Sequence, residues 1–270
     1  VVQIVKHVDL SFVRNLHYWE AQFLLIIALL HMTRVFISGA YKKPREIQWL
    51  TGVVLLVIIF AFSYTGTVLK GDQEGIDAFG HQIETSDLLG PLHSILNLQF
   101  TPGIPAFTRL LALHVTVIPI IAILVVAVHL ILIRLNNISV PKITQNNRIV
   151  SLVGKKAPFS SHVARLVEYG AAATMIAIIL ALISPAPLYH RGMEGMEITK
   201  PPWYLIWLYP LEDIFGIKAI AGTCIIMFAI LVAVPLVDTK EITDPRRRKA
   251  MIICMLACSL IAAKYNAILF

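Results

Sequence analysis

Four histidines in this 270-residue chain are spaced so that two helices would set them in two layers. His17 and His31 are 14 residues apart; His114 and His129 are 15 apart. At about 100° per residue, these steps end within roughly 40° and 60° of four full turns. The members of each pair then share a helix face and stand about 21–22 Å apart along the axis. On two co-directional helices, His17 is level with His114 and His31 with His129. A lone histidine in an apolar helix is as readily a hydrogen-bonded packing residue as a ligand, but four at matched depths favour ligation. Each level supplies two imidazoles and no matched cysteine or carboxylate, short of the four ligands of a structural zinc site. Two imidazoles complete the axial coordination of an iron porphyrin and leave no open position, which suits electron transfer. The expectation is two bis-histidine haem b groups, one on His17 and His114, the other on His31 and His129.

The neighbouring residues fit that chemistry. Gly52 and Gly66 are again 14 residues apart, and a glycine at each level would let a flat macrocycle approach the backbone. Glycine is also common in membrane helices, so the pair has a plain packing reading as well. Arg14 and Arg34 each lie three residues from a histidine, within reach of haem propionates; the simpler reading is a side chain reaching for the membrane surface. A transporter relaying protons through the histidines is the competing class. It predicts repeated halves or broken helices, and the sequence contains no internal repeat.

Such ligands need membrane-spanning helices to hold them, and the composition provides for these. The chain is 57% hydrophobic and 14% charged, against roughly a quarter charged in soluble domains. Six apolar runs, near 17–38, 47–69, 107–134, 164–184, 217–237 and 247–267, are long enough to cross a bilayer, which takes roughly 20 residues. With no water to satisfy their backbones, they must be helices. The predicted fold is an all-α membrane protein of about six transmembrane helices. Residues 1–135 form a haem-binding bundle, 136–163 a polar linker, and 164–270 a three-helix part.

The net charge of +7 arises in loops beside the spans rather than on a soluble face, which argues against nucleic acid as a partner. Arg34, Lys42, Lys43 and Arg45 lie at one side of the predicted topology. So do Arg134, Lys142, Arg148, Lys155, Lys156 and Arg165, and Lys240, Arg246, Arg247, Arg248 and Lys249. These are 15 of the 23 Lys and Arg, so that side is cytoplasmic or its equivalent. Cys224, Cys254 and Cys258 sit in apolar runs without haem-attachment or zinc spacing. The sequence opens at Val1 with no signal segment.

Two longer connections lie on the opposite side. Residues 70–106 carry His81, His93 and several acids; residues 185–216 carry Pro201-Pro202-Trp203-Tyr204, an aromatic run suited to the membrane interface. Asp72, Glu74, Glu212 and Asp213 are candidate proton-handling groups there, and the simpler reading of each is a solvated loop charge. Glu20, one turn from His17 and inside a span, is a carboxylate that needs a reason to be there.

From His17-Tyr-Trp-Glu through His31-Met-Thr-Arg34, then Tyr41-Lys-Lys-Pro-Arg-Glu46 and Trp49-Leu-Thr-Gly52, the sequence resembles the cytochrome b of quinol-oxidising bc complexes. The Lys-Lys-Pro-Arg-Glu run and the 14/15 histidine spacing resemble the b6 branch. Residues 164–267 resemble its partner, subunit IV, with Pro201-Pro202-Trp203-Tyr204 in the place of that family's Pro-Glu-Trp-Tyr. The resemblance implies a dimeric complex in an energy-transducing membrane, with a Rieske iron–sulfur protein and a c-type cytochrome as partners. It implies quinol oxidation on the side opposite the cytoplasm. One electron would go to the Rieske cluster and the other through both haems to a quinone. Arg34, Lys42 and Asp238, on the cytoplasmic side, are candidate polar contacts for that quinone.

Three departures qualify this. The family's opening span has no counterpart in this sequence; in the b6 branch it bears the cysteine of a further covalent haem, which is left open. Pro202 replaces a glutamate that would accept a quinol proton, and proline cannot titrate. Leu69-Lys70-Gly71-Asp72-Gln73 stands where the family has Leu-Pro-Trp-Gly/Asp-Gln. The alternative function is a haem wire without electron bifurcation, anchoring a hydrogenase, dehydrogenase or multihaem cytochrome to the quinone pool.

Overall fold

A computed structural model of the chain describes residues 7–86, 103–136, 159–189, 199 and 201–238, with isolated positions between 249 and 264. Among them the regular structure is helical throughout. Helix α1 spans Val8–Ser38, α2 Glu46–Leu69, α3 Gln73–Ser86 and α4 Ala106–Asn136. Helix α5 spans Phe159–Ile183, α6 Tyr209–Phe215 and α7 Lys218–Val237.

Five of these, α1, α2, α4, Val163–Ile183 of α5, and α7, are long and apolar enough to cross a bilayer. The expected sixth span at 247–267 and most of the 136–163 linker lie outside the described residues. Helix α1 starts nine residues before the predicted span because Asp9, Ser11, Arg14 and Asn15 break the hydropathy without breaking the helix. Its 31 residues reach about 46 Å, well beyond a hydrocarbon core of about 30 Å. None of the most apolar stretch of α4 is buried within the chain. Ile120, Ile123, Leu124 and Ile131 are all exposed, a surface that belongs in lipid or against another membrane helix.

The chain divides into two compact units: Val1–Gly52 with Val126–Pro187, and Val53–Val125 with Leu188–Phe270. In the first, α1 packs along α5. Asn15, 7% exposed, donates to the Ala181 carbonyl at 3.4 Å and accepts from the Ala186 N–H at 3.1 Å. Arg14 donates to the carbonyls of Ala186 and Pro187 at 3.0 and 2.8 Å, and Trp19 to that of Ser184 at 2.9 Å. Helix α5 runs into Ser-Pro-Ala-Pro, and side chains of α1 satisfy carbonyls that no further turn can reach. Helix α1 closes on Gly39 at φ 67, a left-handed cap that glycine adopts without strain. Tyr41 is then buried between Phe36 and Trp49, with ring centroids 5.8 and 5.2 Å away.

In the second unit, Asp72 caps α3 by accepting the Gly75 N–H at 3.1 Å, the usual role of an Asp at that position. Gly75 is required by close approach, since a Cβ there would stand 2.8 Å from the Thr67 carbonyl oxygen. Helix α7 packs against α6 and α3. The segment 201–208 turns through a Leu205 N–H to Pro202 carbonyl bond of 2.8 Å. It buries Tyr204 and Leu208.

Candidate functional site

Each histidine of α4 faces a Thr-Gly pair of α2. In the first unit, Thr51 Oγ1 lies 2.8 Å from His129 Nδ1, and a Cβ on Gly52 would stand 3.6 Å from His129 Cε1. In the second unit, Thr65 Oγ1 lies 2.8 Å from His114 Nδ1, and a Cβ on Gly66 would stand 3.2 Å from His114 Cε1. Phe62 meets the His114 ring edge-on at 5.5 Å.

These contacts fix the tautomers. Thr51 donates its hydroxyl proton to the Gln48 carbonyl at 2.8 Å, and Thr65 donates to the Ala61 carbonyl at 2.7 Å. Each hydroxyl therefore has lone pairs, not a proton, to offer the ring. Nδ1 must carry the hydrogen and donate it, which leaves Nε2 with its lone pair. A histidine whose far nitrogen is held in this way is oriented as a metal ligand. The sequence pattern identified the glycines but missed Thr51 and Thr65. The repeated Thr-Gly dipeptide, 14 residues apart, was the available signal.

The backbone beneath His114 is also special. Leu113–Val117 forms a π turn within α4, in which each hydrogen bond encloses one residue more than in an α-helix.

His17 and His31 both lie in the α1 part of the first unit and are exposed. His31 is within electrostatic range of His129. Among the described residues, no three His, Cys, Asp or Glu side chains converge on a common metal position. Arg34 is exposed near the end of α1, while Arg14 directs its guanidinium to the end of α5. Lys42 lies in the first unit, and Asp238 ends α7 in the second.

Three of the four acids of the outer connections, Asp72, Glu74 and Glu212, are not solvated loop charges, contrary to the simpler expectation. Asp72 is 3% exposed. Besides capping α3 it accepts the Tyr189 N–H at 3.1 Å and lies 3.5 Å from Lys70 Nζ. Glu74 pairs with Lys70 one turn away. Glu212 Oε1 lies 3.3 Å from His81 Nε2. Asp213 and Glu20 are exposed, as such a charge would be. Helix formation explains the difference: residues that read as a polar loop fold as α3 and α6, and the contacts between and around these helices enclose their charges. Tyr204 is held by Ser63 at 2.5 Å, and Tyr64 bonds Gln82 at 2.5 Å. Burial pushes the Tyr204 phenol above its ordinary range.

The sequence profile of the family described as Cytochrome b(N-terminal)/b6/petB matches residues 22–191. Cytochrome b6 of Heliomicrobium gestii is 35% identical over 135 residues, which are 48% of this chain and 63% of that protein. Cytochrome b6 of Heterocapsa triquetra is 34% identical over 149 residues, 51% of this chain and 67% of that one. The chain thus spans only about two thirds of the length of these relatives. A solved structure described as a hyperthermophilic respiratory Complex III superposes with a TM-score of 0.72, covering 99% of this chain and 78% of that one at 20% identity. That likeness is one of fold.

Proposed function

Because the chain belongs to the cytochrome b N-terminal/b6 family, we propose that it is the di-haem b subunit of a quinol oxidoreductase. It carries electrons across the membrane between a quinol or redox partner on the outer side and a quinone on the cytoplasmic side. The observation that carries this reading is the pair of matched Thr-Gly-His sets, Thr51-Gly52 with His129 and Thr65-Gly66 with His114. Haem iron, when bound, supplies a one-electron couple at each level.

The residues of this chain would do the rest. His129 and His114 would offer Nε2, oriented by the threonine hydroxyls, and His31 and His17 would be their respective partners in holding the haems. Gly52 and Gly66 leave room beside each imidazole for a flat ring. Arg34 would meet a propionate of the inner haem or the quinone. The five apolar helices hold this chain in the membrane. A Rieske protein and a c-type cytochrome are the expected partners in a dimeric complex.

A second reading has one observation in its favour. Pro202 places no titratable group where the resemblance calls for a quinol base, as a haem wire that merely anchors another redox module would allow.

One experiment separates the two. Quinol is added to the purified complex with the inner site blocked, and an oxidant pulse follows. A transient rise in reduced haem b is expected, because one quinol then divides its electrons between two routes. Redox-active haem without that rise would replace this reading with the wire, and absence of any b-type spectrum would overturn both.

A further inference from the structure

We propose that His81 and Glu212 are the proton-accepting pair of the outer quinol pocket, in place of the carboxylate that the chain lacks at Pro202. This rests on the reading of the chain as a quinol-oxidising subunit. Both residues belong to the second unit, and their side chains are only 18% and 15% exposed.

The ring is set up as a base. His81 Nδ1 lies 2.8 Å from the Asp77 carbonyl oxygen. A carbonyl can only accept, so Nδ1 carries the hydrogen, and Nε2 is the basic atom of the neutral ring. Glu212 Oε1 stands 3.3 Å from Nε2, where its charge favours the imidazolium that forms when Nε2 takes a proton. Other groups near the ring, among the described residues, lie on α3, α6 and α7. Asp77 accepts from Thr199 at 2.6 Å and from Gln73 at 2.6 Å. Tyr209 packs its ring at 5.8 Å. Glu84 lies one turn further along α3, and Lys218 opens α7, which also packs on α3.

The pair is tied to the Pro202 segment by neighbouring residues of α2. Ser63 holds Tyr204, two residues after Pro202, and Tyr64 holds Gln82, the residue after His81. Glu212 follows Pro202 by ten residues, through the turn at 202–205 and the start of α6. The step is a proton transfer. A quinol O–H bond breaks, an N–H bond forms on His81 Nε2, and the quinol is left as its anion, whose electrons leave by the redox route proposed above. Glu212 stabilises the resulting charge.

The test uses the complex purified from its native membrane, with 2,3-dimethyl-1,4-naphthoquinol and decylubiquinol as probes and the inner site blocked. The readout is the rate of quinol-driven haem b reduction across pH. In the native complex the rate should fall on acidification, as His81 becomes protonated and can no longer accept. His81→Gln should lower the rate about 100-fold and abolish that acid limb, with the dithionite-reduced haem spectrum unchanged. His81→Gln with Pro202→Glu should recover rate, with a limb at lower pH set by a carboxyl group. Should His81→Gln fail to assemble, Glu212→Gln carries the test: it should move the acid limb to lower pH, since a neutral amide no longer favours the imidazolium. A native rate and profile in either single variant would overturn the proposal. If the native complex itself shows no quinol-driven reduction while dithionite reduces its haem, the reading of the chain as a quinol oxidant fails and this pair fails with it.

Discussion

Thr65 Oγ1 accepts a hydrogen bond from His114 Nδ1 across 2.8 Å while donating its own proton to the Ala61 carbonyl. A single hydroxyl thus anchors to its own helix and dictates the tautomer of a histidine on another. Thr51 and His129 repeat the arrangement.

Removing the hydroxyl while keeping the shape should therefore weaken haem binding one level at a time. Thr65→Val is expected to lower haem affinity at the His114 level about 10–100-fold, and Thr51→Val to do the same at the His129 level. Redox titration of haem b in each variant checks this. Loss of the same component in both would mean that the threonines do not act on separate sites.

The two glycines should not be equally tolerant. An added methyl at Gly66 would sit 3.2 Å from the His114 ring, against 3.6 Å at Gly52 and His129. Gly66→Ala is expected to cost about 1–3 kcal/mol through forced displacement of the ring, and Gly52→Ala less. Haem-to-protein ratios and thermal unfolding of the two variants measure the difference; equal losses would contradict it.

His31→Leu should eliminate one haem and leave the other, because the proposed sites share no ligand. The expected result is a reduced-minus-oxidised amplitude near half of the native one, with a single remaining potential. Retention of both haems would refute the pairing of His31 with His129.

Tyr204 should remain un-ionised where ordinary tyrosines titrate, near pH 10. Its phenol is raised by burial above all, with the charge of Glu74 adding to the effect and hydrogen bonds from Ser63 and Thr67 opposing it. A raised value means that its contribution to stability is present below about pH 10 and is lost as pH climbs through the higher folded value. Phenolate absorbance at 295 nm should thus be the same in native protein and Tyr204→Phe near pH 10. Loss of the Ser63 bond in that variant should cost about 1 kcal/mol.

The spans were legible in the sequence because a bilayer permits little besides apolar helices, and the histidine spacing was legible because helical periodicity converts it directly into depth. Hydropathy could not place the start of α1, since Arg14 and Asn15 look like a boundary while in fact binding the end of α5. Nor could composition distinguish Asp72 from a solvated acid. Its burial depends on the chain folding back as α3 and on Tyr189, 117 residues away in sequence. The same holds for His81 and Glu212, which local pattern leaves in separate connections.

The π turn at Leu113–Val117 has a consequence for chain length. A helix with one surplus residue looped out beside its functional group can lose that residue and relax to regular geometry without dragging the group around the axis. Insertions and deletions, usually confined to loops, are thereby admissible in the middle of a membrane span, and two proteins whose histidines are counted 14 and 15 apart can present them identically.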